Sequence, residues 1–272
     1  MARISINGCQ YYYQDVGEGP ETVLFGHGFL MTHRLWEQPI EALRDRYRCI
    51  AVDWRGQGWS EVTKSGYGVL GLCEDLIELV ERLGCGPCHY VGLSMGGYVG
   101  FRLLLRNPDW LRSAVLLDTQ ARAEEPASRR AYQAMLMAVR FLGYEVVMDR
   151  VLPLFFGPAF LNDPEKRQEV ERWKGIIMSN DRTGVYRAGM GIFDRPDALA
   201  HLGAAATPTR LITGADDLPT PVDEARLTQE HLPGAELKII PAAGHSSVIE
   251  RPEVVIPHIT SFIDTHAAVP AG

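Results

Sequence analysis

The sequence lacks several features that would assign it to particular protein classes. Its 272 residues contain no apolar run approaching the ~18 residues of a transmembrane helix. It has no long block of Lys and Arg, and its net charge is −7, so neither nucleic acid nor an anionic membrane surface is an expected partner. The first residues alternate like a strand and lack the apolar segment of a secretory signal. We therefore expect a cytoplasmic protein.

Cysteine and paired metal ligands are also scarce. Five cysteines in 272 residues are an odd number in a long chain, which argues against a disulfide framework. No two histidines have the spacing of a metal-binding pair, so we expect neither a metal nor another cofactor. With 46% hydrophobic and 22% charged residues, the composition is that of a globular chain that buries a large core.

Strand-like and helix-like segments alternate over residues 1–121 and again over residues 197–272. The predicted strands are Arg3–Asn7, Tyr11–Val16, Thr22–Gly26, Arg48–Asp53, His89–Leu93, Arg112–Asp118, Thr209–Thr213 and Glu236–Ile240. The predicted helices are Trp36–Leu43, Val69–Leu83, Gly96–Arg106, Val222–His231 and Pro252–Thr265, followed by a tail over residues 267–272 that we expect to fray. This alternation predicts an α/β protein with a mostly parallel central sheet and helices on both faces.

Residues 122–196 interrupt this pattern. They contain no clear strand, and their apolar helical stretches cover Tyr132–Leu142 and Val146–Phe156. We predict a helical cap over the carboxyl ends of the strands, where open α/β sheets bind ligands. Most of its large apolar side chains should form the cap's own core, and some should face a mostly apolar pocket. The candidates are Tyr132, Met135, Met137, Phe141, Phe155, Phe156, Phe160, Trp173 and Tyr186.

The most informative segment is VGLSMGG, residues 91–97. It contains G-x-S-x-G between a predicted strand and a predicted helix, which is the context of a nucleophilic serine. A sharp turn there exposes the central side chain on a strained backbone and brings the flanking positions so close that they require Gly. The helix N-terminus adds positive potential where an oxyanion would form. We predict that Ser94 is the nucleophile; the alternative is that these small residues only pack a helix against a strand.

Three further segments resemble the α/β-hydrolase family. They are HGF at 27–29, DWRGQGWS at 53–60, and the pair ITGADDLPTP at 212–221 and PAAGH at 241–245. Together with VGLSMGG they extend the resemblance over nearly the whole chain outside the insertion, and they are most similar to 3-oxoadipate enol-lactonase-like esterases and lactonases. The resemblance implies the α/β-hydrolase fold and a structural role for the DWRGQGWS turn. It also implies an oxyanion hole formed by the backbone N–H groups of Phe29 and Met95.

A nucleophilic serine needs a base, and the base needs an acid that orients it. The order Ser94, Asp217, His245 is the order expected for this fold. His245 follows a predicted strand and a Gly, whereas His27 is better interpreted as a turn residue and His33 is a candidate for the pocket mouth.

The identity of the acid stays open among three residues. The family's G-x-x-D spacing selects Asp217, and its neighbour Asp216 would then be a carboxylate that stabilises a turn. Asp118, at the end of a predicted strand, is the position that some relatives use.

The resemblance implies hydrolysis of a small carboxylic ester or lactone through an acyl-serine intermediate, on substrates such as an enol-lactone or an acyl-homoserine lactone. Ser94 argues against the dehalogenases and epoxide hydrolases of this fold, which have a carboxylate at that position. The alternatives are a C–C bond hydrolase of aromatic ring-cleavage products, a cofactor-free haloperoxidase or perhydrolase, and a ligand receptor with slow turnover. The expected partner is the small-molecule substrate, and a homodimer stays open.

Two other motifs are interpreted as coincidental. CGPC, residues 85–88, spells a redox tetrapeptide, but it follows a predicted helix and precedes a strand, so no helix N-terminus lowers the pKa of its first thiol. GYGVLG, residues 66–71, spells G-x-G-x-x-G but follows no strand, which argues against a dinucleotide site.

Overall fold

An eight-stranded sheet runs through residues 2–268, the part of the chain that the computed structural model describes. The strands are β1 (Ala2–Ile6), β2 (Cys9–Val16), β3 (Thr22–Gly26), β4 (Arg48–Val52), β5 (Cys88–Leu93), β6 (Leu111–Leu117), β7 (Thr209–Gly214) and β8 (Glu236–Ile240). Their order in the sheet is β1-β2-β4-β3-β5-β6-β7-β8. Only β1 with β2 and β2 with β4 pair antiparallel, and the other five pairs are parallel. The predicted mostly parallel sheet is confirmed.

Eleven α-helices accompany the sheet within residues 2–268. They are α1 (Glu37–Leu43), α2 (Val69–Leu83), α3 (Met95–Arg106), α4 (Pro126–Leu142), α5 (Met148–Phe155), α6 (Pro158–Leu161), α7 (Arg167–Ser179), α8 (Arg182–Phe193), α9 (Val222–His231), α10 (Ser247–Glu250) and α11 (Pro252–His266). None of the described helices is long and apolar enough to cross a membrane. Most of the tail predicted to fray, residues 269–272, lies outside the described range.

The two faces of the sheet bury separate cores because strand side chains alternate in direction. On β3, Val23 and Phe25 face the core that includes α1 and α11, whereas Leu24 faces the core that includes α2 and α3. All five residues of β3 are buried, as expected for a strand covered by helices on both faces. The sheet is therefore a rigid support whose parallel strands end at one edge.

Helix α2 shows how local sequence determines an element. Apolar side chains at helical spacing, among them Leu72, Leu76 and Leu79, are buried on one face. The helix ends at Gly84, whose φ of 55° is the left-handed conformation that Gly adopts at little cost. The predicted bounds of this helix are confirmed.

The chain between β6 and β7 contains helices α4 to α8 and, within the described residues, no strand. Helix α4 packs against α8, and the junction between α7 and α8 is attached to the core through Asn180. The Asn180 side chain donates to the carbonyl of Leu30 at 2.9 Å and accepts from the N–H of Gly58 at 2.8 Å. We call the segment that contains α4 to α8 the helical insertion. The predicted limits, 122–196, enclose all five of these helices.

The CGPC segment lies between α2 and β5. Cys85 and Cys88 are both buried free thiols, and the Cys88 thiol donates to the carbonyl of Cys85 at 2.9 Å. Neither cysteine begins a helix, since Cys88 is the first residue of β5. The segment therefore forms a helix-to-strand turn.

Candidate active site

Ser94 lies on a sharp turn between β5 and α3. Its backbone has φ 51° and ψ −108°, a conformation that non-Gly residues rarely adopt. A Cβ on Gly92 would lie 2.6 Å from the backbone of Gly96, and a Cβ on Gly96 would lie 2.0 Å from the carbonyl oxygen of Gly26. Only glycine fits at either position, and this crowding holds the serine at the carboxyl edge of the sheet.

His245 and Asp217 reach this serine from two neighbouring strands. His245 follows β8, and its Nε2 lies 2.9 Å from the Oγ of Ser94. Asp217 follows β7, and its two carboxylate oxygens lie 3.0 and 2.9 Å from the Nδ1 of His245. All three side chains are buried or nearly so, with 7%, 5% and 6% exposure for Ser94, Asp217 and His245. The three residues predicted from widely separated segments thus form one hydrogen-bonded row.

Thr220 fixes the orientation of the acid. Its backbone N–H donates to one oxygen of Asp217 at 2.9 Å, and its hydroxyl donates to the other at 2.8 Å. The carboxylate is therefore held while both oxygens face the imidazole. This residue was not identified from the sequence, although a Thr three residues after an Asp is a local pattern that favours such a turn.

The other two candidate acids have different surroundings. Asp216 is exposed, and its backbone N–H donates to the carbonyl of Ala243. Asp118 is fully buried, where it accepts from the N–H of Gly214 and from the N–H and hydroxyl of Ser247. Burial and the nearby Asp217 charge raise the pKa of Asp118. Asp118 therefore joins the ends of two segments at the site without a hydrogen bond to the imidazole.

The electrostatics around His245 favour its protonated form. Burial lowers its pKa, but the Asp217 carboxylate, with smaller contributions from Asp118 and Glu250, outweighs burial, and the net pKa is raised above the usual value. An imidazole that accepts a proton from Ser94 would thus be stabilised as a cation. This is the property required of a general base paired with a carboxylate.

Glu250 holds the loop that carries His245. This buried carboxylate accepts from the N–H groups of Gly244 and Ser246, on either side of the histidine, at 2.9 and 3.2 Å. It also accepts from the N–H of Gly157, between α5 and α6 of the insertion, at 2.9 Å. Burial raises its pKa, while the three N–H groups oppose that rise. One side chain therefore connects the histidine loop to the helical insertion.

The predicted oxyanion amides belong to Phe29, which lines a cavity with Ser94, and to Met95, which follows Ser94 in the chain. No hydrogen bond from the backbone N–H of Phe29 or Met95 is found within residues 2–268. Met95 is the first residue of α3, where N–H groups have no partner inside the helix. Gly28 is close to the serine, because a Cβ there would lie 3.5 Å from the Ser94 Cβ. Both N–H groups therefore have no hydrogen-bond acceptor among the described residues, and their role as an oxyanion hole stays a prediction.

His27 supports this segment as a neutral residue. Its Nδ1 lies 2.7 Å from the Gly28 carbonyl, and its Nε2 accepts from the N–H of Trp54 at 3.0 Å. One nitrogen must donate and the other accept, and burial lowers the pKa of His27 to about 4. His27 therefore links the Gly28 turn to the DWRGQGWS segment.

The DWRGQGWS segment is held by buried charges. Arg55 pairs with buried Asp75 through two nitrogens, and Asp53 accepts from the N–H groups of His33 and Trp59. His33, a candidate for the pocket mouth, also directs its ring toward Asp53 and lines a separate surface cavity with Trp59. The segment has the structural arrangement implied by the family resemblance.

A largely apolar cavity opens over Ser94 and His245. Its apolar lining consists of Phe29, Leu30, Met135, Leu136, Val139, Val151, Leu154, Phe155, Val185, Ile192, Phe193 and Pro219. Its other lining residues are Ser94, Tyr98, Glu124, Tyr132 and His245. Of the large insertion residues considered from the sequence, Tyr132, Met135 and Phe155 face this cavity, whereas Met137 and Phe141 are exposed to solvent.

Two polar residues of this cavity were missed by sequence reasoning. Tyr98 lies one turn after Ser94 on α3, and Glu124 precedes α4. Nothing in the local sequence distinguishes either from an ordinary helix or loop residue. Within residues 2–268, no group of three or more His, Cys, Asp or Glu side chains is arranged to hold a metal ion.

Comparisons with known proteins agree with this architecture. A putative carbamate hydrolase RutD from Caulobacter sp. is 29% identical over 94% of this chain and 97% of its own length. The 3-oxoadipate enol-lactonase 2 of Acinetobacter baylyi is 26% identical over 89% of this chain and 88% of its own. A thermophilic esterase from Thermogutta terrifontis superimposes with a TM-score of 0.91 and 29% identity, covering 98% of this chain and all of that one.

The names of these relatives describe hydrolases and differ in the substrates that they state. Residues 21–252 match the family described as alpha/beta hydrolase fold, which is most of the chain. The resemblance predicted from HGF, DWRGQGWS and VGLSMGG is thereby confirmed. The chain belongs to the alpha/beta hydrolase fold family.

Proposed function

We propose that the protein hydrolyses a small carboxylic ester or lactone through an acyl-serine intermediate. The observation that carries this proposal is the hydrogen-bonded row from Ser94 through His245 to Asp217. A serine hydroxyl is a weak nucleophile until a base removes its proton, and the row supplies both the base and the carboxylate that orients it.

The proposed reaction has two halves. The Oγ of Ser94 attacks the substrate carbonyl while Nε2 of His245 takes the hydroxyl proton, and Asp217 stabilises the imidazolium. The amides of Phe29 and Met95 hold the developing oxyanion, a contribution of about 3 kcal/mol in related sites. His245 then gives the proton to the leaving alkoxide, so the ester alcohol departs, or a lactone ring opens. Water, activated by His245, releases the acid from Ser94.

The cavity favours a carbonyl substrate with an apolar body. Twelve of its seventeen lining residues are apolar, and the other five are Ser94, Tyr98, Glu124, Tyr132 and His245. Carbamate hydrolysis is a second candidate, because the Caulobacter relative named for it matches nearly the full length of both chains. A carbamate also reacts by attack on a carbonyl, so the same residues would serve.

The proposal is tested by Ser94→Ala. The purified protein is assayed on short p-nitrophenyl esters, lactones, a carbamate and a vinylogous diketone, and a fluorophosphonate probe is applied to each variant. We expect Ser94→Ala to lose turnover and labelling while keeping its unfolding temperature. Ser179→Ala is the control, since its hydroxyl only donates to the Ile176 carbonyl on α7.

Four results would contradict the proposal. Ester turnover retained by Ser94→Ala would exclude Ser94 as the nucleophile. Labelling of Ser94 in the wild-type protein without turnover of any substrate would favour a ligand receptor instead. Turnover of the diketone alone would favour a C–C bond hydrolase, and peroxyacid formation a perhydrolase.

A further inference from the structure

One carboxylate lies in the wall of the largely apolar cavity. Glu124 lines the cavity, and its side chain is only 9% exposed. Ionised carboxylates are rarely buried to this extent without a partner, because desolvation disfavours the charge. The residue lies outside the row of Ser94, His245 and Asp217, so the proposed mechanism gives it no role.

Arg195 holds this carboxylate in place from behind the wall. Its side chain is completely buried, and its Nη1 donates to the Oε2 of Glu124 at 3.0 Å. The guanidinium also donates to the carbonyls of Arg122 and Ile192, and it lies 4.0 Å from the centre of the Tyr98 ring. Glu124 is therefore fixed by a rigid cation, and the orientation of its carboxylate is set before a substrate arrives.

The other carboxylate oxygen remains unused. No hydrogen bond to Oε1 of Glu124 is found within residues 2–268. A carboxylate oxygen accepts more than one hydrogen bond, and an ionised carboxylate is a stronger acceptor than a neutral oxygen. Such a group discriminates sharply between substrates that satisfy it and substrates that do not.

We propose that Glu124 selects neutral substrates by accepting a hydrogen bond from a hydroxyl or N–H group on their apolar part, and that it rejects substrates with a second carboxylate. This proposal rests on the ester or lactone hydrolysis proposed above and adds the class of substrate. Among the described residues, no Lys or Arg side chain lines the cavity, since Arg195 lies behind Glu124 and Tyr98. A carboxylate on the substrate would therefore meet the like charge of Glu124, with the Arg195 cation on the far side of that carboxylate.

Three p-nitrophenyl esters of equal chain length test the selection. They are the hexanoate, the 6-hydroxyhexanoate and the adipate monoester, which differ only in a terminal methyl, hydroxyl or carboxylate. For the wild-type protein we expect kcat/KM on the hydroxyl ester to be at least that on the methyl ester, despite the lower hydrophobicity of the hydroxyl. We expect the carboxylate ester to be about 100-fold poorer than the methyl ester.

Glu124→Gln tests whether this carboxylate causes the selection. The change keeps the shape of the side chain but removes its charge, so the carboxylate ester should gain about tenfold relative to the methyl ester. The hydroxyl ester should lose a similar factor, because an amide oxygen is a weaker acceptor than a carboxylate. Glu125→Gln is the matched control, since this neighbouring side chain is 68% exposed and should leave all three ratios unchanged.

The outcomes separate this proposal from the one on which it rests. Equal turnover of the methyl and carboxylate esters by the wild-type protein, or equal ratios in Glu124→Gln and Glu125→Gln, would overturn the role of Glu124 while leaving Ser94 chemistry intact. Failure to turn over all three esters, with Ser94 unlabelled by fluorophosphonate, would overturn both. Should Glu124→Gln not fold, the wild-type ratio of methyl to carboxylate ester decides alone.

Discussion

Replacing Asp217 by Asn tests the arrangement around the imidazole most directly. Both oxygens of Asp217 lie about hydrogen-bond distance from Nδ1 of His245, at 3.0 and 2.9 Å, and Thr220 holds them there. Asn has nearly the same shape but no charge, and its amide nitrogen donates where the carboxylate accepts. The imidazole then loses the partner that fixes its tautomer and stabilises its protonated form.

We expect Asp217→Asn to lower kcat/KM on the best ester by about 10³ to 10⁴-fold, which is ~4 to 5.5 kcal/mol of transition-state stabilisation. The pH dependence should change as well. His245 acts as a base only when neutral, so activity rises as pH increases through its pKa. Because Asp217 is the main group that raises this pKa, its loss should move the acidic limb of the profile to lower pH.

The assay is kcat/KM against pH for wild type and three variants. Asp216→Asn should stay within about threefold of wild type, since this side chain is exposed. Asp118→Asn should weaken folding through its bonds to Gly214 and Ser247, and it should move the acidic limb to lower pH by less than Asp217→Asn does. A large loss in Asp216→Asn, or an Asp217→Asn enzyme within tenfold of wild type, would refute the reasoning.

Two other substitutions follow from backbone contacts. In Glu250→Gln only one side-chain atom accepts hydrogen bonds, so at least one N–H beside His245 loses its partner. We expect the free energy of thermal unfolding to fall by about 1–3 kcal/mol and kcat to fall about tenfold or more. Unchanged kcat would contradict the positioning role. Gly96→Ala places a Cβ 2.0 Å from a carbonyl oxygen and should cost about 3 kcal/mol or more in urea unfolding. Gly175→Ala, on the exposed face of α7 with open space around it, should instead gain about 0.5–1 kcal/mol. Equal unfolding midpoints of the two alanine variants would be inconsistent with this packing.

The strands and several helices could be predicted because their signals are local. Helix α2 repeats its apolar residues at helical spacing and stops at Gly84, and both features lie within one stretch of sequence. Helix α4 begins at Pro126, six residues before the start predicted at Tyr132. Its first turns are polar and exposed and have no apolar periodicity, so the sequence pattern does not reveal them. The sequence pattern gives no bounds for helices α7 and α8. Their buried faces form only when these helices pack within the insertion.

The residues of the site likewise divide into those with a local sequence signal and those without one. Ser94 was recognised from the glycines beside it, and His245 from its place after a strand. The roles of Glu124 and Glu250 depend on partners far away along the chain. Arg195 is 71 residues from Glu124, and Gly157 is 93 residues from Glu250. Pattern analysis cannot bring such residues together, because only the folded chain makes them neighbours.

The attachments of the helical insertion to the core restrict how the cavity exchanges its contents. The Glu250 carboxylate binds Gly157 and the histidine loop together, and Asn180 bridges the α7–α8 junction to the core. Arg187 of α8 also donates to the carbonyl of Thr63. Lifting the whole insertion would break these bonds and would displace His245 at the same time. We therefore expect the passage for substrate and product to open by an outward movement of α4, the helix that carries Tyr132 and Met135. The rest of the cavity wall would then keep its position relative to the imidazole of His245.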